Sequence, residues 1–364
     1  MQFGLGVLAP HITAEFSLSR TLYGSAVSAM LLSGLVVSLA TGRLVRLWGE
    51  IRLLRVLHAV AIAAFAIVAL APGWHWIVAA AVVMGVPVGL GNPVTNQLII
   101  TRVEHRRQGT ATGIKQSGVQ VGALFAGVAL PPVAVAFGWR TAIGGLALVA
   151  VVGLALAIPL RARADSIDGV GGAGEGAGLT KLALFLAAYA ALMGFGASAV
   201  FAFLPLFAYQ ELAMQTIRAG QLIALIGLLG AISRVLMGII GNRVSRLEPW
   251  LAAMAAASSG GLLLLAVVPE RPALLWLTII GFGIGAAAWQ AAAMLAVVRE
   301  HAARSTGVVM SGFLFGMILG PLSFGWVTDR LNSYPAGWTM LAFAFAIAGL
   351  LSTVAAVHAR TTVI

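Results

Sequence analysis

Residues 81–107 read AVVMGVPVGLGNPVTNQLIITRVEHRR. Residues 277–303, which lie 196 positions later, read LTIIGFGIGAAAWQAAAMLAVVREHAA and have the same residue at several of the corresponding positions. The same offset relates glycines outside the two stretches. The identical partners are Gly24, Gly34, Gly42, Gly85, Gly89, Glu104 and His105 in the first half, with Gly220, Gly230, Gly238, Gly281, Gly285, Glu300 and His301 in the second. The chain is therefore built as two similar halves.

The composition is that of a membrane protein. Of the 364 residues, 60% are hydrophobic and only 9% are charged, whereas a soluble domain is about 25% charged. Eleven or twelve apolar stretches of roughly 20 residues follow one another, each long enough to cross a bilayer as a helix. They lack the alternation of polar and apolar residues that a membrane β-barrel shows. Two similar polytopic halves are typical of a transporter whose site lies between the repeats.

The basic residues divide unequally between the two sides of the predicted helices. Breaks at Gly and Pro place these helices near residues 21–41, 53–71, 76–101, 109–136, 141–160, 181–209, 219–241, 250–268, 272–298, 305–328 and 336–357. Fifteen Lys and Arg residues then lie on one side and five on the other, which marks the richer side as cytoplasmic. The net charge of +11 is thus a topology signal and not a nucleic-acid surface. We expect a multi-pass protein of the plasma membrane, surrounded by the lipid bilayer.

The predicted helices fall into two groups. Residues 1–160 form an N-terminal bundle, and residues 181–364 form a C-terminal bundle. Between them, residues 161–180 read RARADSIDGVGGAGEGAGLT, which is polar, rich in Gly and without helical period, so we expect a flexible cytoplasmic linker. The predicted fold is an all-α polytopic membrane protein with two six-helix bundles related by a pseudo-two-fold axis.

The first helix is predicted to be truncated. Its counterpart in the second half begins at Lys181, and the offset of 196 residues would start the first helix 15 residues before Met1. Residues 1–10 span only about 15 Å as a helix, half of the hydrocarbon core. We expect the genomic sequence upstream to encode about 15 or more further residues, mostly apolar. The other interpretation is a real half-helix packed against its neighbours.

Two loops carry a resemblance to a known family. Residues 42–52 read GRLVRLWGEIR, and their repeat partners, residues 238–246, read GIIGNRVSR. They resemble the signature loop of the major facilitator superfamily, in which a Gly is followed four residues later by an Asp, then by basic residues and a second Gly. The resemblance implies that these loops latch one of two access states. The acidic position holds Arg46 and Asn242 here, and the other loop residues are Gly42, Gly49, Arg52, Gly238, Arg243 and Arg246.

Two basic residues lie within predicted membrane spans, whereas all eleven acidic residues lie in loops or at helix ends. These residues are Lys115, in the fifth helix, and Arg234, in the eighth. Burying a charge in a bilayer costs several kcal/mol, so such residues usually line a cavity on the substrate path. In the superfamily the fifth and eighth helices face each other, which implies that the two cations lie at similar depth with no acid nearby. A bound anion would neutralise these two positive charges.

The chemistry of the two cations suggests a carboxylate. Arginine offers a planar fork that matches a carboxylate, and lysine adds a point charge. The stretch from Arg234 to Asn242 also resembles the eighth helix of monocarboxylate and oxalate carriers, where the matching Arg binds the substrate carboxylate. Two other interpretations stay open. Lys115 would extend toward the cytoplasmic headgroups, or Arg234 would bond to helix ends or loop carbonyls.

Other polar residues complete the predicted substrate site. The fourth helix carries Asn92, Asn96 and Gln97, the fifth carries Gln120, and the tenth carries Trp289 and Gln290. Each is also compatible with plain hydrogen bonding between helices.

Three function classes remain open. The first is a secondary carrier that moves a small organic anion by alternating access, as a monomer. The second is a multidrug exporter of hydrophobic or cationic compounds, and the third is an inactive truncated copy. The sequence contains no Cys, no cluster with metal-ligand spacing and no nucleophile–base set. We therefore expect no enzyme activity, no catalytic residue, no metal, no cofactor and no nucleic-acid partner.

Overall fold

The chain folds into twelve α-helices in a computed structural model that describes residues 1–161, 181–241, 243–244, 246–299 and 303–361. Their bounds are α1 Gln2–Phe16, α2 Arg20–Trp48, α3 Glu50–Ala69, α4 Trp74–Arg102, α5 His105–Phe137, α6 Trp139–Ala157, α7 Lys181–Gln210, α8 Thr216–Gly241, α9 Glu248–Val267, α10 Leu275–Arg299, α11 Ala303–Arg330 and α12 Tyr334–Thr361. A 3₁₀ turn, Pro272–Leu274, precedes α10. These ranges contain no strand, which confirms the predicted all-α membrane class.

Membrane-spanning length is shared by all but the first helix. Among the residues described, 11 helices, α2 to α12, are long and apolar enough to cross a membrane. The helix α1 has 15 residues, and its side chains Leu5, Val7, Leu8 and Ile12 are at most 1% exposed because neighbouring helices surround them. The existence of residues upstream that lengthen α1 stays a prediction. The predicted linker residues 162–180 lie outside the described residues, so the domain division also stays a prediction.

Polar contacts between helix ends define two faces of the molecule. On one face, Arg140 at the start of α6 forms an ion pair with Glu15 of α1 at 2.7 Å. On the other face, Arg55 of α3 donates to the carbonyls of Ile158 and Leu160, just after α6, at 2.7 Å each. The second face carries the arginine-rich loops, and we call it the cytoplasmic end, following the charge bias. The first face is the outer end.

The helices α1–α6 meet α7–α12 mainly along three pairs, α1 with α7, α2 with α11, and α5 with α8. Glycines permit these helices to approach until backbone touches backbone. Gly24 of α2 lies against the Pro321 carbonyl of α11, where a side chain would collide. At Gly227 of α8, an added Cβ would lie 2.9 Å from the Gln120 carbonyl of α5. The seam between the bundles is thus closely packed where these pairs meet.

At the outer end, an acidic residue of one bundle caps the N-terminus of a helix in the other. The Asp329 carboxylate at the end of α11 accepts hydrogen bonds from the backbone N–H of Arg20, at 3.0 Å, and of Thr21, at 2.7 Å. The Thr21 hydroxyl donates a third bond at 2.6 Å. The first N–H groups of a helix have no partner within the helix and attract negative charge, so the acid stabilises α2 from across the seam. We call this contact the outer latch.

We expect substitution of Gly227 by Ala to destabilise the seam. The new methyl group would meet Gln120 and Leu124 backbone atoms at 2.9 Å, and overpacking of this kind costs about 1–3 kcal/mol. The matched control is Gly260→Ala in α9, where nothing lies within 4 Å of the added atom. Ala is the better helix former by about 1 kcal/mol, so the control should unfold at the same or a higher temperature. Thermal unfolding of both variants in the same detergent tests this. A Gly227→Ala protein as stable as the control would contradict the seam geometry.

Candidate functional site

Arg234 is held inside α8 by acceptors on two other helices. It lies seven residues before Gly241, the last residue of α8, which is about 10 Å of helix. Its Nε donates to the Ala287 carbonyl of α10 at 3.1 Å, and its Nη2 donates to the Gln290 side chain of the same helix. Its Nη1 reaches the Gln116 carbonyl of α5 at 3.5 Å. These acceptors lie within helices, not in loops or at helix ends.

Lys115 is held sideways by the neighbouring helix α4. It lies ten residues past His105, the first residue of α5, which is about 15 Å of helix. Its Nζ donates to the side-chain oxygens of Asn92, at 3.1 Å, and Asn96, at 2.5 Å. These two residues are four apart, so they lie on one face of α4, one turn above the other. The ammonium group is therefore held against α4, inside its own bundle, and does not extend toward the headgroups.

Neither cation has a carboxylate partner in the part of the chain that the structure describes. Arg234 bonds to the backbone of Gln116, the residue next to Lys115 in α5. The ion pairs of the described ranges join Arg102 to Glu50, Arg107 to Glu104 and Arg140 to Glu15, and none includes either cation. The acceptors that hold them are neutral amide and carbonyl oxygens. Two positive charges at membrane depth are thus balanced by dipoles alone.

Exposed polar side chains indicate a water-filled space beside the cations. Asn92, Asn96 and Gln116 are exposed, although they lie within membrane-length helices. Amide side chains in contact with lipid tails would lose their hydrogen bonds to water at a cost of several kcal/mol. We therefore expect these side chains to face water between the helices. They lie on the cytoplasmic side of the outer latch, since α4 and α5 join at the cytoplasmic end.

The other predicted site residues have different surroundings. Gln290 is a direct partner of Arg234. Gln120 is buried in the seam, where its side-chain oxygen would lie 2.8 Å from a Cβ added at Gly230. Trp289 is 1% exposed and packs with its ring centroid 5.8 Å from Tyr189 and 5.4 Å from Phe313, so other rings cover it.

The side-chain amide of Gln97 lacks a hydrogen bond. Its side-chain nitrogen is buried and has no hydrogen-bond partner in the described part of the chain. It follows Asn96 directly, on the helix that holds Lys115. A substrate contact by Gln97, Gln120 or Trp289 stays a prediction.

The predicted conformational loops lie at the cytoplasmic end. Gly42, Arg46 and Arg52 are exposed at the end of α2 and the start of α3. Gly49 between them has φ 73°, a left-handed conformation that favours glycine. In the second half, Gly238 and Arg243 are exposed. Arg246 is partly buried, and Asn242 lies outside the described residues. A role of these loops in latching stays a prediction.

Two features were missed by the sequence analysis. The first is the buried Glu50, which pairs with Arg102 of α4 at 3.7 Å. Arg102 also donates to the carbonyl of Arg161, so α3, α4 and the segment after α6 are joined. The signal was present, because Glu50 stands within the quoted loop. The second is the outer latch at Asp329, for which the sequence offers only an acid at a helix end. The described residues also contain no group of three or more His, Cys, Asp or Glu placed to hold a metal ion.

Comparisons with known proteins agree with this architecture. A family model described as Major Facilitator Superfamily matches residues 1–321. A comparison with curated proteins found none that matches the sequence. Among solved structures, the chain is similar to a bacterial homologue of the human lysosomal transporter Spinster, in an inward-facing and occupied conformation. That match has a TM-score of 0.77 and 16% sequence identity, covering 98% of this chain and 93% of that chain.

Two further solved structures have the same fold. A D-xylose–proton symporter gives a TM-score of 0.79 at 14% identity and covers 96% of this chain and 94% of that chain. The nucleoside transporter NupG gives a TM-score of 0.75 at 14% identity, with 97% and 96% covered. At these identities the likeness concerns the fold alone.

We expect the cavity to favour anionic reagents. The chain has no native Cys, so Asn92→Cys would place a single thiol beside Lys115. At about 8 Å and an effective dielectric constant of about 20, unit charges interact by about 2 kcal/mol. Screening by salt reduces this interaction, so a sulfonate-bearing thiosulfonate should react more than about tenfold faster, relative to its trimethylammonium analogue, than with a free thiol. Addition of Lys115→Gln should lower this ratio.

The control thiol is Gly73→Cys, at an outer-end turn with nothing within 4 Å. Its rate ratio should match that of a free thiol. Equal rate ratios for the thiols at positions 92 and 73 would contradict a positively charged cavity. So would a rate ratio at position 92 that does not change when Lys115→Gln is added.

Proposed function

The chain belongs to the major facilitator superfamily, and from that premise we propose that it is a secondary transporter of a small organic anion, working by alternating access. The family and the transporters of the same fold indicate a membrane transporter rather than an enzyme. The observation that carries the anionic substrate is the pair Lys115 and Arg234, held at membrane depth by neutral acceptors only. We also propose a monomer in the plasma membrane.

An anion is the ligand class that this pair favours. Each cation loses hydration when it leaves water, and neutral dipoles recover only part of that free energy. A carboxylate between α5 and α8 would supply the missing charge and accept strong, charge-assisted hydrogen bonds. A cationic or purely apolar compound would leave both charges uncompensated, which disfavours the exporter interpretation.

The bonds that Arg234 makes leave part of its fork free. The guanidinium group has five N–H donors, and three hydrogen bonds occupy one donor on each nitrogen. One N–H on Nη1 and one on Nη2 remain, and we propose that these two project side by side from the tip of the group. A carboxylate can accept both in the parallel arrangement that arginine favours. Ala287, Gln290 and Gln116 would then fix the orientation of the fork before the substrate arrives.

Alternating access requires that the outer contacts open while those at the cytoplasmic end close. The outer latch is formed, and we propose that a polar cavity opens on its cytoplasmic side, which would be the arrangement of a state open to the cytoplasm. In the opposite state, Asp329 must separate from Thr21. The carboxylate and the two N–H groups would then be solvated, which keeps the free-energy difference between the states small.

We expect Arg234→Lys to abolish most transport although it keeps the charge. Lysine cannot present the bidentate fork, and one lost hydrogen bond to a charged group is worth about 1.5–3 kcal/mol, or about ten- to a hundredfold in affinity. Uptake of a panel of labelled carboxylates into proteoliposomes measures the loss. Arg218→Lys is the matched control, because Arg218 is exposed in the first turn of the same helix. Unchanged substrate affinity in Arg234→Lys would end the anion-carrier proposal.

Lys115→Gln should weaken anion binding while it stabilises the empty protein. The substitution removes the repulsion between two uncompensated cations, so the melting temperature without substrate should rise and the gain on adding substrate should shrink. If Lys115 served only to anchor α5, substrate affinity would stay within about twofold. Thermal unfolding with and without the best carboxylate of the panel distinguishes the two.

We expect Asp329→Ala to open the outer end more often. Ser28, 6% exposed and bonded to the Ile318 carbonyl of α11 at 2.6 Å, lies behind the latch. Hydrogen bonds to charged groups contribute about 1.5–3 kcal/mol when buried and less at this partly exposed site, so a Ser28→Cys thiol should react with a bulky hydrophilic maleimide about tenfold faster. Glu270→Gln, an exposed acid of the same face, is the control and should have no effect. Equal labelling rates in both variants would show that the latch does not hold the bundles together.

A further inference from the structure

A pocket at the cytoplasmic end is separate from the candidate site, because its lining includes neither Lys115 nor Arg234. It has a volume of about 310 Å³ and lies between the end of α2, the start of α3 and the segment after α6. Its lining includes Trp48, Arg52, Arg55, Leu160 and Arg161. The side chains that line it include three arginines and no acid.

In the part of the chain that the structure describes, no ion pair joins these arginines to an acid. Arg55 donates to backbone carbonyls, which are neutral acceptors. Within the described ranges, Arg52 and Arg161 form no ion pair with a carboxylate. Glu50, two residues before Arg52, is 2% exposed, and its ion pair is with Arg102. The pocket is therefore a concave, positively charged site that fits a phosphate-sized anion.

The surroundings of the pocket are those of the membrane surface. Leu156 and Ile158, at the end of α6, are 69% and 61% exposed, and in a bilayer this apolar surface contacts lipid tails. Trp48, 48% exposed, stands at the rim, and Trp is enriched at the level of the lipid headgroups. The pocket thus opens where the hydrocarbon-facing surface of α6 ends. A molecule with a phosphate in the pocket and acyl chains along α6 would use both features.

We propose that this pocket binds the headgroup of an anionic phospholipid of the cytoplasmic leaflet. Arg52 and Arg161 would contact the phosphate, with Arg55 as the third positive charge at the base of the pocket. The acyl chains would follow Leu156 and Ile158 toward the membrane interior. Basic pockets between transmembrane helices on the cytoplasmic side are suited to such lipids. A bound lipid would join the loop after α2 to the segment after α6, and would stabilise this end of the N-terminal bundle.

The test uses the full chain in detergent and phosphatidylglycerol as the probe, with phosphatidylcholine of the same acyl chains as reference. Affinity is read by native mass spectrometry, and the rise in melting temperature is followed in parallel. Arg52→Gln/Arg161→Gln should bind phosphatidylglycerol about 25-fold more weakly, since each basic residue contributes about fivefold in affinity. Arg161→Gln alone, at a residue outside the helices, should lose about fivefold and guards against misfolding of the double variant. The affinity for phosphatidylcholine should not change.

Arg43→Gln is the matched control. Arg43 is exposed near the end of α2, on the same face but outside the pocket, so its removal takes away the same charge without touching the site. Its affinity for phosphatidylglycerol should equal that of the unmodified protein. Equal affinities of Arg43→Gln and the double variant would overturn the proposal. So would an equal thermal shift with inorganic phosphate at the same concentration, because the site would then bind a soluble anion and not a lipid.

Discussion

Two positive charges at membrane depth, balanced by neutral dipoles alone, are the constraint around which the centre of this molecule is arranged. A bilayer does not tolerate an unsatisfied guanidinium or ammonium group, so the neighbouring helices must supply acceptors. The helix α4 supplies two side-chain amides for Lys115, and α10 supplies a carbonyl and an amide for Arg234. These bonds satisfy the hydrogen-bonding groups but leave the net charge in place. The geometry is therefore suited to a ligand that brings a negative charge.

The seam provides the second requirement of a carrier, which is that the bundles can separate. At the outer end the contacts are glycine against backbone, as at Gly24 and Pro321, and a carboxylate that binds N–H groups of the opposite bundle. Such contacts are close but not interlocked by long side chains, and every polar group in the latch can bond to water instead. The same fold occurs in the sugar and nucleoside transporters to which the chain is similar. In this chain the position of the charges, not the fold, argues for the substrate class.

The sequence predicted the helices well and their partners poorly. Apolar periodicity, with Gly and Pro breaks, located every long helix to within several residues, because the bilayer requires about 20 apolar residues whatever the packing. The rarity of charge in such segments identified Lys115 and Arg234. Asn92, Asn96 and Gln290, which hold the two cations, were also among the residues singled out. The sequence did not identify the Ala287 carbonyl, because every residue has a backbone carbonyl and only packing brings this one to Arg234. Trp289 illustrates the same limit. Only the packing reveals that Tyr189 and Phe313 cover this ring, and its contact with a substrate stays a prediction.

The central claim is that negative charge, not size or shape, is what the cavity selects. The most direct measurement compares the stabilisation of the purified protein by small carboxylates with that by the corresponding neutral amides, compound by compound, in thermal unfolding. Each pair has nearly the same volume and hydrogen-bonding atoms and differs in charge. The account predicts that at least one carboxylate raises the melting temperature in a saturable way while its amide does not. Equal stabilisation by an acid and its amide, or stabilisation by hydrophobic cations instead, would contradict it.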